Sequence, residues 1–278
     1  MSDIDIEHLR QWVGKTRAER DILAPRHAGL MAATLGRAPL PAGAALPPLW
    51  HWIYFLEGLP PAELGRDGHP ARGGFLPPVP LSNRMWAGGQ LEFHAPLPLG
   101  AEVEKRSRIL SVEHKSGRSG ELVFVAVQHQ IVHDGVVAVT EVHDIVYKEP
   151  TPAGARPPAS PELPPATHSE RITPDSTMLF RYSALTFNGH RIHYDADYCR
   201  NVEGYPNLVI HGPLNATLLA ACAERVAGRP LKRFAYRGLR PSLLGSELTI
   251  NAAADGDGLL LWVGLPDGGV SMRAEAGF

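Results

Sequence analysis

Prolines at positions 152, 157, 158, 161, 164 and 165 constrain the fold more than any other feature of this sequence. Each proline removes a backbone donor and fixes φ at about −65°, so the stretch cannot be a helix or a central strand. Residues 151–165 therefore read as a surface linker. They cut the chain near its middle, and the flanking segments 1–150 and 166–278 repeat one pattern. Pro96, Gly100 and Glu102 recur with the same spacing as Pro241, Gly245 and Glu247. In the first half these precede a β-rich run from Leu122, the turn dipeptide Asp134-Gly135 and a second β-rich run to Tyr147. In the second half they precede a loop at Asp255-Gly256, the run Leu259 to Val263, a turn at Asp267-Gly268 and a final strand. Asp-Gly between β-rich runs marks a hairpin, because the tight turn needs positive φ.

Each half also holds a helix with readable ends. The first has Pro25 at its start, apolar Leu30, Met31 and Leu35, and Gly36 as a stop. The second opens at His211-Gly212-Pro213, runs from Leu214 to Val226 and closes at Gly228. It is apolar nearly all round, which predicts a helix buried by sheet. Two copies of helix plus hairpins imply an α+β architecture made by duplication. Ile6, Leu9 and Val13 lie at helical spacing, so Ile6 to Arg20 is expected to add an amphipathic helix.

Charge and composition exclude several classes of function. With 27 Lys and Arg against 29 Asp and Glu, no basic stretch can neutralise a run of phosphates, and nucleic acid is not an expected partner. The longest strand-like apolar run, Leu122 to Val127, is far short of the ~20 residues that span a bilayer, so no membrane partner is expected. An acidic start without an apolar stretch is not a signal peptide. Cys199 and Cys222 alone make no disulfide framework, so a reducing cytoplasm is the expected location. No zinc spacing, phosphate loop or nucleophile elbow occurs, and no metal or redox cofactor is expected.

The segment Phe187-Asn188-Gly189-His190-Arg191-Ile192-His193-Tyr194, followed by Ile210-His211-Gly212-Pro213, resembles the hydratase motif of the MaoC-like hydratases and dehydratases. The resemblance is closer to the branch that includes mitochondrial 3-hydroxyacyl-thioester dehydratases and bacterial mesaconyl-C4-CoA and itaconyl-CoA hydratases. It implies a double hot-dog fold, each sheet wrapping a helix, with a degenerate N-terminal half (1–150) and a catalytic C-terminal half (166–278). The first half has no counterpart of Asn188 and His193 ahead of a His-Gly helix start, since its helix opens at Ala24-Pro25-Arg26, so one active site per chain is expected; two chains can pair further as a homodimer. Residue by residue, the resemblance places His193 on the catalytic histidine, Gly212 on the glycine whose amide faces the thioester oxygen, and Asn188 where the wider family has an acid. An amide cannot accept a proton, so Asn188 can orient water or substrate but cannot act as a base.

The chemistry fits these residue types. Hydration of an α,β-unsaturated thioester needs a donor where enolate charge grows and a base for the attacking water. The Gly212 N–H at a helix start supplies the first, and neutral His193 the second. Coenzyme A enters as part of the substrate. Arg191, Arg84 and Arg181, with His190 beside them, are candidates to hold a carboxylate on the acyl group, since the guanidinium fork matches it. For Arg191 the alternative is an ion pair with Asp195 or Asp197. Lys232, Arg233, Arg237 and Arg240 are candidates for the phosphates of coenzyme A. The aromatics Trp50, Trp52, Tyr54, Phe55, Trp86 and Phe93 suit a short pocket.

The expected activity is thus hydration of a short dicarboxylic enoyl-CoA, itaconyl-CoA or mesaconyl-C4-CoA, to citramalyl-CoA. The alternatives are a 3-hydroxyacyl-thioester dehydratase of fatty-acid synthesis and a non-catalytic acyl-CoA binding protein. A thioesterase fits less well, because the first turn after Gly212 carries no carboxylate.

Overall fold

The computed structural model describes residues 4–117, 120–149 and 159–278. Of the expected linker, 151–158 lies outside the described residues, and 159–165 has no regular secondary structure.

In chain order the first half comprises α1 (Ile6–Arg10), β1 (Thr16–Ile22), α2 (Pro25–Thr34), β2 (Asn83–Phe93), β3 (Glu102–Gly117), β4 (Gly120–His133) and β5 (Val136–Lys148). The second comprises β6 (His168–Ile172), α3 (Ser176–Leu185), α4 (Ala196–Tyr198), α5 (Gly212–Ala227), β7 (Arg233–Gly238), β8 (Leu248–Asp255), β9 (Gly258–Gly264) and β10 (Val270–Gly277). The strands lie in the order β1-β3-β4-β5-β2-β7-β10-β9-β8-β6. Read from its outer edge inward, each half runs first, third, fourth, fifth and second strand, so the duplication is visible as a mirrored order. The two sheets meet where β2 pairs antiparallel with β7, Gly88 opposite Arg237 through Glu92 opposite Arg233. This is the double hot-dog fold, its sheets fused edge to edge.

The turn at Asp134-Gly135 has positive φ at both residues, 49° and 77°, as a two-residue hairpin requires. Helix α5 packs on β7, β8, β9 and β10. It stops at Gly228 (φ 65°), whose N–H donates to the Glu224 carbonyl, and Leu214, Ala216, Leu219, Ala220, Cys222 and Ala223 are buried on it.

Two expectations are corrected. Residues 6–20 are not one helix: Gly14 at φ 85° breaks the chain after α1, and Thr16–Ile22 pairs with β3 as an edge strand. The apolar spacing of Ile6, Leu9 and Val13 covers only the part before that glycine. Nor is α2 the counterpart of α5. It follows β1 as α3 follows β6, and α2 and α3 pack together. Between α2 and β2 the described residues form only short 3-10 helices, Trp50–Ile53 and Pro61–Glu63, where the second half has α5. Loss of that long helix leaves the first sheet partly uncovered, and a cavity occupies the space. Among the described residues no helix is long and apolar enough to cross a membrane.

Candidate active site

The site begins at the end of α3. Asp175 caps its start by accepting from Met178 N–H at 2.7 Å, a contact that satisfies an orphan helix donor. At its end Phe187 takes φ 47° and the Asn188 N–H donates to the Ser183 carbonyl at 2.8 Å. This left-handed residue turns the chain back, so that 188–193 runs along the cavity. Asn188 Oδ1 then accepts from His190 N–H at 2.9 Å. The amide oxygen is thus committed to a local turn, and the NH2 end is the one that can donate into the cavity.

His193 lies in a short 3-10 turn, Arg191–His193, and is buried. Its Nδ1 lies 2.7 Å from the Val209 carbonyl, so Nδ1 carries the proton and Nε2 keeps its lone pair. That carbonyl is fixed because Val209 N–H donates to the Ile192 carbonyl at 2.9 Å. The His193 ring stacks on His211 at 3.6 Å between centroids, and His211 Nε2 is 2.8 Å from Ser183 Oγ. Gly212 is the first residue of α5 and lines the cavity, so its N–H has no carbonyl one turn earlier in the helix and lies at the positive end of the helix dipole. Asn188, His190, His193 and Gly212 all line one cavity of about 1310 Å³.

The candidate cations separate. Arg84 lines the cavity beside the Tyr147 hydroxyl. Arg191 does not line it: its Nη2 and Nε lie 2.7 and 3.1 Å from Asp195 Oδ2, and its guanidinium covers Tyr198 at 4.2 Å. The sequence alternative of an ion pair is the observed one, with Asp195 as the partner. Arg181 is exposed on α3 and, like Lys232 and Arg233, lies outside the cavity lining. Arg237 and Arg240 line it, and Arg240 is held by Asp267 at 2.7 Å.

Several lining residues were not legible as site residues. From the first half come Asp67 and His69, and, on the strand faces turned to the cavity, His129, Glu141 and His143, opposed by His51. Glu141 Oε2 is 2.8 Å from His51 Nε2 and accepts from Trp52 Nε1 at 3.1 Å. Although burial alone would raise it, the bond to His51 and the neighbouring imidazoles hold Glu141 down at about 2. The period-2 placement of His129 with Ile131, and of Glu141 with His143, on inward positions is the signal sequence could have offered.

Burial holds His129 and His193 down at about 4 and His143 at about 3. The unfolded chain, with imidazoles titrating near 6.5, binds more protons between those values. Stability is therefore full above about pH 7 and is lost as pH falls from about 6.5 toward 4, each group adding up to ~1.4 kcal/mol per pH unit. Urea unfolding should show a midpoint steady from pH 8 to 7 and falling steeply from pH 6 to 4.5. A flat profile over that range would exclude this origin of acid lability.

Comparison with known proteins follows the same lines. The family model for hydroxyacyl-thioester dehydratase type 2 matches residues 49–244. The chain is 43% identical over 269 residues to mesaconyl-C(4)-CoA hydratase of Chloroflexus aurantiacus, covering 95% of both chains. It is 29% identical over 249 residues to mitochondrial hydroxyacyl-thioester dehydratase type 2 of Schizosaccharomyces pombe, covering 79% of this chain and 80% of that one. Among solved structures, HtdX of Mycobacterium tuberculosis superposes with a TM-score of 0.68 at 20% identity, covering 94% of this chain and 99% of the other.

Proposed function

Because the chain belongs to the hydroxyacyl-thioester dehydratase type 2 family, and is thereby a hydro-lyase, we propose that it adds water to a short dicarboxylic enoyl-CoA. The substrates are mesaconyl-C4-CoA or itaconyl-CoA, and the product is citramalyl-CoA. The observation that carries this reading is the pairing of His193, its Nε2 free at the cavity, with the Gly212 N–H at the start of α5, while Arg84 lines the same cavity.

In this mechanism the thioester oxygen accepts from Gly212 N–H, which stabilises the charge that grows there. His193 Nε2 takes the proton of the attacking water while Nδ1–H stays on the Val209 carbonyl. The Asn188 NH2 holds the water or the acyl group in place. Arg84 meets the free carboxylate, which left unpaired in a closed pocket would cost several kcal/mol. The cavity volume alone does not select a short acyl group; Arg84 in its lining supports a carboxylate on that group. The relative from Chloroflexus supports the substrate, and two buried free thiols, Cys199 and Cys222, suit a reducing cytoplasm.

Hydration of mesaconyl-C4-CoA, itaconyl-CoA, crotonyl-CoA and a long-chain enoyl-CoA, followed at the enoyl-thioester absorbance, tests this directly. The dicarboxylic substrates should turn over fastest. Arg84→Ala should raise KM for them by about 10-fold or more, as loss of a charge-assisted contact does, and should leave crotonyl-CoA nearly unaffected. Faster turnover of a long-chain substrate would favour the second reading, a 3-hydroxyacyl-thioester dehydratase, which the family model and the room in the cavity support.

A further inference from the structure

Asn188 leaves the site without the acid that the wider family would place there, and the first half brings a carboxylate and an imidazole to the same cavity. Asp67 and His69 sit in the loop 64–70, 120 residues before the motif in sequence. The loop docks on the motif backbone: Arg191 N–H donates to the Asp67 carbonyl at 2.9 Å, and Arg191 Nη1 to the Arg66 carbonyl at 3.4 Å. Asp67 Oδ2 lies 3.0 Å from His69 Nδ1 and Oδ1 accepts from His69 N–H at 3.1 Å. His69 Nδ1 is thereby the donor, and its Nε2 has no hydrogen-bond partner among the described residues. The His69 ring lies 4.1 Å from that of His190, which lies 5.4 Å from that of His193.

We propose that His69, oriented by Asp67, is a second catalytic residue: it exchanges the proton at the α-carbon of the thioester while His193 exchanges the proton of water. The proposal rests on the hydratase reading above. A carboxylate behind an imidazole fixes its tautomer and stabilises the imidazolium, so of the two histidines His69 is the better proton carrier; His193 has only a carbonyl behind it. In hydration, water oxygen bonds to the β-carbon and its proton passes to His193 Nε2. The π pair of the double bond moves to the α-carbon and thioester oxygen, and the α-carbon then takes the proton on His69 Nε2. His193 ends one proton richer and His69 one poorer, and water in the cavity carries that proton back. The sum is one H and one OH added, with no change in oxidation state beyond the addition. Dehydration runs the same steps in reverse, His69 removing the α-proton. Burial, with Arg84 and Arg72, holds the His69 pKa below its ordinary value, and the bond and charge of Asp67 oppose this by favouring the protonated form; the His190 ring lies alongside. Asp67 is a positioning residue acting through His69.

His69→Ala should keep its melting temperature and lose kcat by about 10²–10³-fold, the scale of a general acid–base group, and added imidazole should restore at least tenfold of it. In the hydration direction the working form of His69 is protonated, so the rate falls as pH rises through its pKa. Asp67→Asn removes the charge that favours the proton and should move that fall to lower pH, a shift that a purely structural role would not give. Should His69→Ala fail to fold, the Asp67→Asn profile decides. Wild-type protein that hydrates no enoyl-CoA would sink the proposed function itself. An active wild type, an inactive His193→Ala and a His69→Ala within about threefold of wild type would overturn the dyad alone. Activation by added Zn²⁺ or Mg²⁺ with loss of activity in EDTA would also overturn it, because these side chains would then be serving a cation.

Discussion

Replacing His193 with alanine is expected to lower kcat by about 10²–10⁴-fold, since it deletes the group that takes the proton from water. His193 is 7% exposed, so loss of packing against His211 must be separated from loss of chemistry. His193→Gln does so. Its amide NH2 can still donate to the Val209 carbonyl and fill most of the space, but it accepts no proton at neutral pH. The glutamine variant should therefore melt close to wild type and remain as inactive as the alanine variant. It should also unfold less steeply in acid, because one buried neutral imidazole that must charge on unfolding is gone. Turnover within a few-fold of wild type in a folded variant would remove His193 from the mechanism.

The second large effect is expected at Gly68. There φ is 84°, and a Cβ would lie 2.0 Å from the Gly189 carbonyl oxygen, far inside contact distance and against backbone that cannot swing aside. Gly189 is the reciprocal case, its Cβ position 2.9 Å from the Gly68 carbonyl oxygen. Two glycines thus face each other where the first-half loop meets the motif. Gly68→Ala should push loop 64–70 off the motif, break the Arg191 to Asp67 backbone bond and misplace His69, with a fall in kcat/KM on the order of 10²-fold, as ångström-scale misplacement produces. Gly43→Ala is the control, since Gly43 also has positive φ (71°) but nothing within 4 Å of its Cβ position. It pays the same backbone strain without a clash. Equal kinetics for the two variants would show that the close approach is not needed.

The sequence made the second half of the site readable and the first half unreadable, for a physical reason. His193, Asn188 and Gly212 lie on one local stretch ending at a helix start, so spacing alone relates them. Asp67 and His69 sit among Gly65, Gly68 and Pro70, which read as turn chemistry, and only tertiary docking brings them to His190. Arg191 misled because its place in the motif suggested substrate, whereas Asp195 at i+4 satisfies it locally. The strand duplication was legible through repeated prolines, glycines and Asp-Gly turns. The true counterpart of α2 was not, because it depends on which helix follows the outer strand. Residues 16–20 looked helical because the sequence does not show that Gly14 takes a positive φ and that β1 pairs with β3.

Fusing the sheets at β2 and β7 leaves two outer strands, β1 and β6, each with one row of backbone groups that no other strand pairs among the described residues. A ten-stranded sheet open at both ends could otherwise grow into a fibre. Both strands turn charge inward: Arg17 and Glu19 on β1, paired with each other at 2.8 Å, and Glu170 on β6, paired with Arg225 of α5. A strand added at either edge would have to bury or unpair these groups, at a cost that disfavours stacking. The duplication therefore leaves each molecule with its own safeguard against polymerisation, built from the first strand of each repeat.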